Sequence, residues 1–97
     1  MRVCVVGHRG MLGNAVDKLL RTIPGIELTT VDARWPGEEF IGFFRTHSFD
    51  WIVNCAARIP QSNPDERETY LVNYGLPVFL ASTGAGVIHP STNLLTA

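Results

Sequence analysis

Gly7-His8-Arg9-Gly10-Met11-Leu12-Gly13 places three glycines three residues apart, directly after an apolar run and directly before an amphipathic one. Bare amides at a strand-to-helix junction point outward at the positive end of the helix dipole, where they suit phosphate. In that arrangement Gly7 permits a tight turn, Gly10 lets a ligand approach the backbone, and Gly13 lets the helix pack near the strand. Met11 and Leu12 complete the loop whose backbone would cradle a pyrophosphate. The same spacing also serves a plain glycine-rich turn with no ligand, so its context carries the weight. No Gly-Lys-Ser/Thr follows, which excludes a Walker-type loop. About 20 residues on, Asp32 ends a second apolar run, where a carboxylate can accept both ribose hydroxyls of an adenosine and favour NAD. Arg9 and Arg34 favour the extra phosphate of NADP instead. Asp32 as a turn residue and the arginines as solvated charges are the plainer alternatives, and the choice between NAD and NADP stays open.

The elements that must position these groups alternate. Residues 3–6 form an unbroken, largely β-branched strand of the kind that a sheet covered on both faces requires. From Gly10, the residues Met11, Leu12, Ala15, Val16, Leu19, Leu20 and Ile23 share one helical stripe, opposite Asn14, Asp17, Lys18 and Arg21. Pro24-Gly25 stops that helix. Residues 26–31 read as a strand. Residues 35–48 read as a short helix with Phe40, Ile41, Phe43 and Phe44 inward, weakened by Gly37 and Gly42. Residues 51–53 form a third buried strand that runs out through 54–57. Asn63, Pro64 and the acids after them suit a helix start. That helix extends to about Ser82, with an interruption at Gly75 and a kink near Pro77, which cannot donate to the carbonyl of Asn73. Residues 87–89 are a fourth short strand. Such alternation predicts a Rossmann-like, doubly wound parallel α/β sheet of about four strands, in the order 2-1-3-4. Its switch point falls between the first and third strands, where residues 7–13 meet Ala56 and Ala57.

Composition narrows the functions. The 97 residues fit one domain, 1–97, that is 45% hydrophobic and 18% charged, in the soluble globular range. The net charge is −1 without a basic run, which argues against nucleic acid as a partner. No stretch approaches the roughly 20 apolar residues that cross a bilayer, and the N-terminal run meets a glycine loop rather than a cleavage region. Cys4 and Cys55 lie in apolar runs and read as reduced core residues, Cys55 as small filler rather than a nucleophile; the expected compartment is the cytoplasm. His8, His47 and His89 have no metal-ligand spacing, so no metal is expected, and His89 reads as a packed strand end.

The loop, together with Asp50-Trp51-Ile52-Val53-Asn54-Cys55-Ala56-Ala57, Asn73, Leu76-Pro77, and Val87-Ile88-His89 before Ser91-Thr92-Asn93, resembles the extended short-chain dehydrogenase/reductase family in order along nearly the whole chain. The loop is most similar to its GDP-L-fucose synthase branch, and the later landmarks equally to its dTDP-4-dehydrorhamnose reductase branch. The resemblance implies the NAD(P)-binding part of a reductase or epimerase acting on a nucleotide-linked sugar. Family chemistry moves a hydride between nicotinamide and a sugar carbon, aided by a Ser/Thr, a Tyr and a Lys. The Ser/Thr position falls on Thr92, with Ser91 as the alternative. The nicotinamide-side loop falls on Ala56 and Ala57, and the arginine that contacts the adenosine phosphate falls on Arg9. The chain departs from the pattern in three ways. It has no Tyr-x-x-x-Lys, since Tyr70 and Tyr74 precede the Ser/Thr strand and Lys18 is its one lysine. The later strands and sugar-binding part are missing, and residues 73–84 are about one helical turn short. The chain alone therefore lacks the acid/base pair. Its uncovered sheet edge implies a homo-oligomer or a longer parent chain. The competing expectation is a truncated module that binds a dinucleotide or acts through self-association.

Overall fold

Strands that are apolar on both sides need cover on both sides, and the sheet has it. The computed structural model describes residues 1–56 and 66–90. In it β1 (Arg2–Val6) lies between β2 (Glu27–Thr30) and β3 (Trp51–Asn54), with β4 (Gly86–Ile88) outside β3. Every pairing is parallel, in the order β2-β1-β3-β4 that the sequence predicts. Val5 stands level with Thr30 on one side and Val53 on the other.

One face of the sheet presents Val3, Val5 and Val53 to Val16 and Leu20 of α1 (Met11–Leu20). The other presents Cys4, Val6 and Ile52 to Phe40 and Phe44 of α2 (Glu38–Thr46), and to Leu76 and Leu80 of α4 (Leu76–Ala81). Crossovers of one hand that move in opposite lateral directions must put their helices on opposite faces. The chain moves one way from β1 to β2 and the other way from β2 to β3. The switch point therefore lies between β1 and β3, as expected.

Several expectations need correction. Met11, Leu19 and Ile23 are not part of a buried stripe: they are 93%, 63% and 42% exposed. Of that stripe, Val16 and Leu20 pack against the buried Val3, Val5 and Val53, and Ala15 is exposed as well. Helix α2 starts at Glu38, after Gly37, rather than at residue 35. Ile41 and Phe43 lie at the margin of the core, with Phe40 and Phe44 inside it. Strand β2 is shorter than residues 26–31, although Ile26 and Val31 still pack in the core. Trp51 is exposed, because it heads β3 opposite Gly86 and its ring lies across that glycine; a Cβ on Gly86 would come within 2.5 Å of the ring. Strand β4 runs one residue earlier than expected, since the Gly86 N–H pairs with the Asp50 carbonyl at 3.0 Å. His89 follows it, exposed rather than packed.

The interruption expected at Gly75 and Pro77 takes the form of a change of winding. Helix α3 (Glu66–Tyr70) passes through one π-helical turn (Leu71–Gly75) into α4. The Leu76 N–H bonds to the carbonyl of Leu71, five residues back. That wide turn stands just ahead of Pro77, where the missing donor and the ring both oppose regular α geometry. The same Leu71 carbonyl accepts the Trp35 indole N–H at 2.8 Å, which ties the helix to the β2–α2 connection. The expected start at Asn63 and Pro64 lies outside the described residues, among which no helix is long and apolar enough to cross a membrane.

Candidate functional site

The glycine loop is fixed by backbone contacts at two of its three glycines. Gly7 has φ +80°, and a Cβ there would stand 2.7 Å from the Ala56 nitrogen and 2.9 Å from the Cys55 carbonyl carbon. The loops that follow β1 and β3 thus touch at the switch point. A Cβ on Gly13 would overlap the Gly7 carbonyl oxygen, so helix and strand end approach as closely as backbones can. Gly10 differs. It is exposed, it caps α1, and a Cβ there would meet only the Gly7 oxygen at 3.6 Å, an ordinary contact. Packing does not require glycine at that position.

The first bond into α1 runs from the Asn14 N–H to the Gly10 carbonyl at 2.8 Å. The amides of Met11, Leu12 and Gly13 precede it and have no helical acceptor, and Gly10 at the N-cap has no side chain to cap them. A cavity of about 780 Å³ opens in front of the loop, in the range of small-molecule sites. Gly7, Arg9, Gly10, Asp32, Arg34 and Ala56 line it, so the structure brings together these predicted residues from the ends of β1, β2 and β3. The side chains of Met11 and Leu12 do not line it, and Gly13 is buried; these three residues open α1 directly after Gly10, which does line it. Ala57, Ser91 and Thr92 lie outside the described residues.

Asp32 and Arg9, which favour different cofactors, are partners. Arg9 Nη2 donates to Asp32 Oδ1 at 3.1 Å. His8 Nε2 lies 3.1 Å from the same oxygen. His8, Trp35 and Glu68 also line the cavity, and the sequence reading does not place them there. His8 meets Asp32 only through the pairing of β1 with β2. Trp35 and Glu68 arrive through tertiary packing and have no local signature.

Cys55 lines the cavity too, but burial raises its thiol pKa, so it is a poor nucleophile. Cys4, in the core of β1, is pushed up to about 12 by desolvation. Both are free thiols. At the end of β3, buried Asn54 accepts the Ala56 N–H at 3.1 Å, and its Nδ2 donates to His89 Nδ1 at 3.2 Å. This side chain shapes the loop after β3 and joins it to the end of β4. Among the described residues no group of His, Cys, Asp and Glu could hold a metal ion.

A parallel sheet of order 2-1-3-4, helices on both faces and a glycine turn at the switch point define a Rossmann-like α/β domain. A hypothetical dTDP-4-dehydrorhamnose reductase from Sulfolobus tokodaii shares this fold, with a TM-score of 0.66 over 92% of the chain at 18% identity. The chain spans 38% of that protein's length. No protein-family model and no curated protein matches it in sequence.

Proposed function

We propose that the chain is the NAD(P)-binding part of a nucleotide-sugar reductase or epimerase of the extended short-chain dehydrogenase/reductase type. The observation that carries this reading is Gly10. Gly7 and Gly13 answer to contacts within the protein, whereas Gly10 has no such reason to lack a side chain and faces the cavity. A diphosphate seated there meets the first-turn amides of α1, which have no acceptor within the helix, and the positive end of its dipole. Asp32, Arg9 and Arg34 then surround the adenosine ribose, and Ala56 leaves room for the nicotinamide beside the end of β3. The bound dinucleotide supplies hydride transfer at the nicotinamide ring. The chain's own contribution is to bind, orient and fix the negative charge of the cofactor. Thr92, or Ser91 in its place, would hold the substrate oxygen, and a Tyr-Lys pair outside these 97 residues would move the proton.

Titration with NADH and NADPH tests the reading. Trp35 lines the cavity, so binding quenches its emission and transfers energy to the reduced nicotinamide. Saturable quenching below millimolar concentration is expected with at least one of the two. Flat curves with both overturn it.

A further inference from the structure

His8 and Arg9 approach one and the same oxygen of Asp32, each at 3.1 Å, in the part of the cavity where Asp32 and Arg34 stand at the end of β2. The Arg9 and Asp32 side chains are largely exposed and free to rearrange around a ligand, whereas that of His8 is only 19% exposed. The imidazole is thus the fixed member of the cluster and the guanidinium the movable one.

We propose, resting on the dinucleotide reading above, that His8 sets the choice between the two nicotinamide dinucleotides through its hold on Asp32. A 2′-phosphate placed at this cluster meets Arg9, and it also meets the Asp32 carboxylate that Arg9 now holds. For the phosphate to bind, Arg9 must leave Asp32, and the carboxylate must be neutralised by something else. A charged His8 does that. With the imidazole neutral, Asp32 keeps its negative charge, repels a phosphate and accepts ribose hydroxyls, which suits NADH. With the imidazole charged, Asp32 is compensated from behind, Arg9 is released forward, and NADPH is favoured. Among the described residues, the other groups facing this space are Arg34 from the β2–α2 connection, Glu68 from α3 and the Cys55 thiol after β3, which burial keeps protonated. The preference should therefore differ between pH 8 and pH 6.

The test is the ratio of the NADH and NADPH dissociation constants, read from Trp35 quenching at pH 8 and pH 6 with the chain as it stands. The ratio should move about three- to tenfold toward NADPH on acidification, the scale of one charge at a partly exposed site. In His8→Gln, which keeps an amide donor for Asp32, the ratio should stay level. Any residual movement there is toward NADH, because the 2′-phosphate takes up its own proton near pH 6. Asp32→Asn should prefer NADPH at both pH values. A wild-type ratio that ignores pH while both dinucleotides bind overturns the proposal and leaves the dinucleotide reading standing. A His8→Gln ratio that tracks wild type overturns it as well. Failure of both dinucleotides to bind overturns the two together.

Discussion

Two regions line the same cavity and are built in opposite ways. The glycine loop is held by backbone against backbone: Gly13 against the Gly7 carbonyl, and Gly7 against the β3 loop. The cluster at the end of β2 is held by charge, between side chains that are mostly in solvent. Sterics leave the first region one shape. The second has several arrangements of similar energy, since exposed ion pairs contribute little to stability. A binding site made this way keeps the position of the phosphates constant and leaves the adenosine end adjustable.

Substitutions should separate the two regions by stability and by binding in reverse order. Gly13→Ala should have the largest effect, a loss of about 3 kcal/mol or more or a failure to fold, because backbone must move to admit the methyl group. Urea unfolding followed by circular dichroism measures it. Gly7→Ala combines a positive φ with overlap on the β3 loop and should cost about 2–3 kcal/mol. Gly10→Ala should cost no more than about 1 kcal/mol, yet weaken dinucleotide binding about tenfold, since only the ligand needs that space. An equal loss of stability at Gly10 and Gly13 would show that the loop is a device of the fold alone. Arg9→Ala should leave stability within about 1 kcal/mol of wild type and act on NADPH far more than on NADH. Smallest of all, alkylation at pH 8 should be slow at both cysteines, reach Cys55 before the fully buried Cys4, and slow further at Cys55 when NADPH is present. Mass spectrometry of the modified chain reads that order.

The strand order, the switch point and the meeting of the loop with Asp32 and Ala56 are legible in the sequence, because each follows from period and turn chemistry within a few residues. What escapes it depends on how much surface the neighbouring element offers. Met11, Leu19 and Ile23 fit a helical stripe, but the three valines beneath α1 are too few to cover them. Trp51 reads as a strand interior, and it is exposed because its partner across the sheet is a glycine. The interruption near Gly75 and Pro77 is visible, but not that the Leu71 carbonyl at the π turn also accepts the Trp35 indole, a contact 36 residues apart. His8 is passed over because its meaning comes from Asp32, which stands beside it only once β1 and β2 pair.

The indole of Trp51 over Gly86 also fixes something at the other end of the sheet. Parallel strands can slide past one another in steps of two residues and keep the same faces inward. A slide of β4 by one such step would put Ile88 where Gly86 stands, and the ring would have no place to lie. This bulky side chain at the start of β3 acts as a detent on β4. It decides that His89, and no other residue, comes level with the Asn54 amide beside the cavity.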